Sequence, residues 1–99
     1  MKFYVKTHKD LRRPERSVTA ICDEDLINKK LKDEDIEIEI TERFYKGDLK
    51  DTEETKEVIR TAPNLNLVGK NTIELAKQVI EIQTIKTIQG TPTAQIIGL

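Results

Sequence analysis

Few residues in this chain of 99 carry side chains suited to bond-making chemistry. It has one cysteine, Cys22, and one histidine, His8. A catalytic thiolate needs its pKa lowered by a nearby cation, imidazole or helix N-terminus. Cys22 is instead followed by Asp23, Glu24 and Asp25, whose charges oppose thiolate formation. In the alternation Val18, Ala20, Cys22 it falls with the apolar set, so a buried small hydrophobe is expected. His8 sits beside Lys9 at a predicted strand end; one imidazole cannot supply a multi-histidine zinc site, and a general base would need a partner to orient it. The triplets Asp23-Glu24-Asp25 and Asp33-Glu34-Asp35 lack the central glycine and distal glutamate of a calcium loop, and solvated carboxylates in caps and turns account for them. Glycines form neither a dinucleotide fingerprint nor a phosphate loop. Gly69-Lys70-Asn71, at a predicted helix start, offers backbone N–H groups and a lysine to an anion. No catalytic set, metal or cofactor is expected, and the reading leans away from an enzyme.

The strongest chemical signal is electrostatic. Residues 1–16 hold six basic side chains against two acidic ones, a net of +4; residues 23–57 hold seven against 14, a net of −7. The whole chain is nearly neutral at −1. Four cations, Lys9, Arg12, Arg13 and Arg16, crowd into one polar segment of eight residues. Phosphate-backbone binding needs cations of this kind on an accessible element. With only Phe3, Tyr4, Phe44 and Tyr45 as aromatic rings, backbone or shape recognition is expected ahead of base stacking.

These side chains need a scaffold, and 99 residues is the size of a single domain, 1–99. Phe3–His8 and Ser17–Cys22 are β-branched or aromatic runs, which predicts two strands joined by the loop Lys9–Arg16. Asp23 is placed to cap a short helical turn over Glu24–Lys30. Ile36-Glu37-Ile38-Glu39-Ile40 alternates strictly and predicts a strand with one wet face. Phe44–Gly47 reads as a turn, with Gly47 free to take a positive φ. Asp51 and Glu54 have the spacing of a capping box before a helix over about 52–62, which Pro63 ends. A second helix is predicted from near Gly69 to Ile80, then a β-rich tail broken by Gly90 and Pro92. Strands and helices are partly segregated, so the predicted class is α+β, with a mostly antiparallel or mixed sheet of about four strands and two main helices. The first residues have no apolar signal-peptide core, and no apolar run nears the roughly 18 residues of a membrane span. A lone cysteine suits a reducing compartment. The expected place is the cytoplasm.

Four blocks carry a family likeness. They are Cys22-Asp23-Glu24-Asp25-Leu26-Ile27-Asn28-Lys29, Phe44-Tyr45-Lys46-Gly47, Asn66-Leu67-Val68-Gly69 and Gly90-Thr91-Pro92-Thr93-Ala94-Gln95. In this order they resemble a family of short archaeal proteins known as domain of unknown function 424, over nearly the whole chain. The last block departs from the family's usual histidine at the position of Thr93, which puts any role built on that histidine in doubt here. The resemblance implies an archaeal cytoplasmic protein, implies no activity, and tilts the partner toward the ribosome. It also singles out Asp23, Asn66, Gly69, Gly90, Pro92 and Gln95. Of these, Asp23, Asn66 and Gln95 have polar side chains that can converge on a ligand.

Three functions compete. The first is a non-enzymatic module that contacts RNA or a ribosome-associated protein through Lys9, Arg12, Arg13 and Arg16. The second is a small enzyme or ligand binder using Asp23, Asn66, Gly69 and Gln95. The third is a protein–protein adaptor, or a homodimer joined through an open sheet edge.

Overall fold

The computed structural model describes residues 1–98. Strand β1 (Lys2–His8) and β2 (Val18–Asp23) pair antiparallel, as their β-branched and aromatic runs predict. The chain then makes one short 3₁₀ turn (Glu24–Leu26) and a hairpin of β3 (Lys30–Asp33) and β4 (Ile36–Glu39). A one-turn helix α1 (Glu42–Tyr45) leads into β5 (Asp48–Asp51), and helix α2 (Thr52–Thr61) follows. After it come β6 (Asn64–Val68), helix α3 (Lys70–Lys77), β7 (Lys86–Ile88) and β8 (Thr91–Ile97).

The main sheet has six strands in the order β5-β1-β2-β6-β8-β7, all antiparallel except the central β2–β6 pair. The class is therefore α+β with a mixed sheet, but the expected four strands understate it: six strands form the sheet and two more form a separate hairpin. The missed strands share one property, weak β signal. Strand β3 has one apolar residue, Leu31, and β5 is Asp-Leu-Lys-Asp. Strand β6 carries two asparagines, which are depleted in strands, so it reads as a turn in sequence.

Both faces of the sheet are covered. On one, α2 and α3 pack Ile59, Ile73, Leu75 and Ala76 against Phe3, Val5, Ile21, Leu65, Leu67 and Ala94. On the other, the β3–β4 hairpin and α1 bring Leu31, Ile40 and Tyr45 over Ala20, Cys22, Val68 and Ile88. Period-two alternation divides the residues: Ile21 and Leu67 face the helices, whereas Ala20, Cys22 and Val68 face the hairpin. Because β2 is central and covered twice, Thr19 to Asp23 are all buried.

Local chemistry explains the element ends. Asp51 and Glu54 form the expected capping box, with both backbone-to-carboxylate bonds present at 2.8 and 3.1 Å. Gln89 (φ 50°) and Gly90 (φ 77°) form the two-residue turn between β7 and β8 that twisted hairpins favour. Gly47 departs from expectation, since its φ is not positive. It is required instead by crowding: a Cβ there would lie 2.1 Å from the Val5 carbonyl oxygen.

Candidate functional site

The basic segment is folded rather than open. Asp10 Oδ1 accepts from the backbone N–H of Arg12 (3.1 Å) and Arg13 (3.0 Å), and the Asp10 N–H donates to Ser17 Oγ (3.0 Å). Pro14–Arg16 form a 3₁₀ turn. From the far side, Asn64 Nδ2 donates to the carbonyls of Glu15 (2.8 Å) and Ser17 (2.9 Å), while its Oδ1 accepts from the Gly98 N–H. One asparagine at the start of β6 thus ties the loop to the end of β8. Sequence reasoning missed Asn64; its position one residue after Pro63 was the available signal. At the loop's exposed end lies Leu11, 88% exposed, between Lys9 and the two arginines.

Salt bridges among the described residues are Glu42–Lys46, Glu53–Lys56 and Glu57–Arg60, each within or at the end of one helix. None joins the basic loop to the acidic segment. Lys9, Arg12, Arg13 and Arg16 therefore stand exposed without a carboxylate partner among the described residues.

The residues singled out for ligand binding divide in two. Asp23, 7% exposed, lies on the helix side of β2 opposite Phe3. It does not cap the turn that follows it. Its Oδ1 accepts from Thr72 N–H and Thr72 Oγ1, both at 2.7 Å, and its Oδ2 from Asn71 N–H at 3.1 Å. It is the cap of α3, supplied from another strand because the N-cap residue, Gly69, has no side chain. Gly69 itself takes a positive φ of 118°, and its N–H donates to the Pro92 carbonyl at 2.9 Å. The expected anion site at this helix start is thereby filled by the protein's own carboxylate.

Asn66 and Gln95 stand directly opposite each other on β6 and β8, on the other face of the sheet. Tyr45 Oη donates to Asn66 Oδ1 at 3.1 Å. Beside them is an open groove of about 530 Å³, where the hairpin no longer covers the sheet. Its walls include Arg16 and Phe44, and its floor includes Val18, Asn66, Gln95 and Ile97. A second hollow of about 450 Å³ runs under the hairpin and meets the first at Asn66 and Gln95. Asp23 touches neither, so the three polar residues do not share one pocket.

His8 is held at the margin of this region. Its ring stacks on Phe44 with centroids 4.5 Å apart, and its Nε2 lies 2.9 Å from the Phe44 carbonyl, which fixes that nitrogen as the donor. Cys22 is fully buried, as its place in the alternation predicts. Burial, then the charges of Asp23 and Asp25, push its thiol from 9.0 to about 12. Burial, then Cys22, pushes the Tyr45 phenol from 10.0 to about 12. Two consequences follow. Native protein should resist alkylation of Cys22 by iodoacetamide, with full reaction only after unfolding, as mass spectrometry would record. Both groups are neutral in the fold and ionise more easily once unfolded, so their contribution to stability is present below pH 9.0 and lost as pH rises toward about 12. Urea midpoints should fall across that range, and less steeply for Cys22→Ala.

Among the described residues no group of three metal-ligating side chains is assembled, and no helix is long and apolar enough to cross a membrane. Fold and site together define a small α+β domain whose sheet opens at one end onto amide, aromatic and cationic side chains. The chain belongs to the family described as protein of unknown function (DUF424), whose model matches residues 11–99. This bears out the resemblance carried by the four blocks. Among solved structures, an uncharacterized conserved protein from the archaeon Methanopyrus kandleri is similar to it, with a TM-score of 0.81 at 22% identity. That likeness covers 100% of this chain and 95% of the other, and it establishes the shared fold. No curated protein matches.

Proposed function

We propose that this protein is a cytoplasmic, non-enzymatic binding module that contacts RNA, free or within a ribonucleoprotein, through Lys9, Arg12, Arg13 and Arg16. The observation that carries the reading is the combination of a pinned loop backbone with four exposed cations that form no salt bridge with a described carboxylate. Cations already paired within the fold would have to break those pairs to bind phosphate; these do not. A loop held by Asp10 and Asn64 also loses less conformational freedom on binding than an open one. The lone buried thiol suits the reducing cytoplasm.

Binding of this kind depends on salt, because each neutralised phosphate releases counterions. Plotted as log affinity against log salt, binding of a short RNA should be linear. Replacing Arg12 and Arg13 together with alanine should reduce the slope by about 1.4 to 1.8, at roughly 0.7–0.9 per phosphate contact. Fluorescence anisotropy at several salt concentrations measures it. Absence of RNA binding at low salt, or a slope untouched by the double substitution, sinks the reading.

A further inference from the structure

The groove beside the basic loop has features that phosphate binding alone leaves unexplained. Asn66 Oδ1 is engaged by the Tyr45 hydroxyl, and the raised pKa of that buried phenol keeps it a donor. The Asn66 amide is therefore fixed in orientation, and its Nδ2 donates to no described residue. Gln95, directly across the β6–β8 ladder, is exposed and has neither amide atom engaged within the described protein. Side chains paired across antiparallel strands lie about 4.5–5.5 Å apart at Cβ. The groove floor thus presents a fixed N–H donor next to an amide that can donate and accept.

The walls suit a flat, polar-edged ring. Phe44 lines one side, already stacked on His8. Arg16, a member of the basic loop, lines the same groove, and Glu15 beside it adds an acceptor. Val18 and the 81%-exposed Ile97 supply apolar surface. The volume of about 530 Å³ falls in the range of about 300–1,000 Å³ that holds small ligands. Arg16 thus belongs both to this groove and to the basic loop that carries Arg12 and Arg13.

Resting on the reading of the loop as an RNA contact, we infer that the groove takes one unstacked nucleobase, so that the protein selects single-stranded over duplex RNA. Amide pairs of this kind read the hydrogen-bonding edges of splayed bases, which a duplex keeps paired and stacked. The charge argument fixes the occupant's class: Arg16 and its loop neighbours Lys9, Arg12 and Arg13 outnumber the one carboxylate of the groove, Glu15, none of them forms a salt bridge among the described residues, and a nucleotide joins an anion to a polar ring.

The test compares three probes of equal length: an unstructured RNA strand, its duplex, and an abasic single strand. Native protein should bind the base-bearing strand about tenfold more tightly than the abasic one, the scale of one stacked base. Gln95→Leu, a change at an exposed strand position that removes the amide but leaves Phe44 and Arg16 in place, should cut that advantage several-fold while leaving the duplex, the abasic strand and the salt slope unchanged. The Asn66 and Gln95 side-chain amide NMR signals should shift only with the base-bearing strand. Equal affinity for base-bearing and abasic strands, or a Gln95→Leu variant that keeps the difference, overturns the base site while leaving the loop's phosphate contacts standing. Failure of native protein to bind any of the three at low salt overturns the base site and the loop reading together.

Discussion

Gly69→Ala is expected to lower the unfolding free energy by about 4 kcal/mol, the largest effect of any single substitution considered. Two costs add. The backbone at φ 118° and ψ 151° lies in a region that is essentially reserved for glycine, and a side chain there costs about 1–3 kcal/mol. The new Cβ would also sit 2.4 Å from Asp23 Cγ and 2.5 Å from its Oδ1. Overpacking of this sort costs about 1–3 kcal/mol, and here the obstructing group is a buried, thrice-bonded carboxylate that has nowhere to move. A domain of this size unfolds at about 5–15 kcal/mol, so the variant should retain only part of its margin. Thermal unfolding followed by circular dichroism should show a midpoint drop of about 16–32 °C. A drop under 5 °C would mean that the glycine is not needed there.

Asp23→Ala should follow at about 3 kcal/mol. It removes the cap of α3 and leaves Asn71 N–H, Thr72 N–H and the buried Thr72 hydroxyl without their acceptor. Loss of an N-cap costs about 0.5–2 kcal/mol, and hydrogen bonds to a charged group contribute about 1.5–3 each before compensation by water. Asp23→Asn keeps one acceptor oxygen and should cost about half as much, as urea midpoints would show. The two positions should also couple. Without the Asp23 carboxylate the clash at residue 69 disappears but the backbone strain remains, so Gly69→Ala should cost about 1–3 kcal/mol less in the Asp23→Ala background. Simple additivity would show that the contact between them carries no energy.

These two residues also mark where sequence reasoning stopped. Asp23 and Gly69 stand out in the sequence, but Asp23 reads there as the cap of the turn that follows it and instead caps α3, whereas Gly69 does stand at a helix start. What the sequence does not contain is that they belong to the same helix, because the parallel pairing of β2 with β6 is a long-range fact. The capping box of Asp51 and Glu54 was legible because both partners lie within one turn. The burial of Cys22 was legible because alternation is local. Strand β6 was not: Asn64 and Asn66 disguise it, and both asparagines are there for tertiary reasons, one bracing the basic loop and the other bonded to Tyr45. The basic loop was visible from charge alone, yet the groove beside it was not, since its walls and floor bring together that loop, α1, β2, β6 and β8.

The central β2–β6 pairing has a further consequence, for how the chain folds. Its partners, Val18 with Asn64 through Cys22 with Val68, are 46 residues apart. Closing so long a loop costs entropy before any contact rewards it. The β1–β2 and β3–β4 hairpins need no such closure and can form as soon as they leave the ribosome. The middle of the sheet must wait for residue 68, and both faces of the core wait with it. Until then β2 presents an unpaired apolar edge, Val18-Thr19-Ala20-Ile21-Cys22, to whatever else is nearby. The interval between synthesis of β2 and of β6 is therefore when this small protein is most exposed to misassociation.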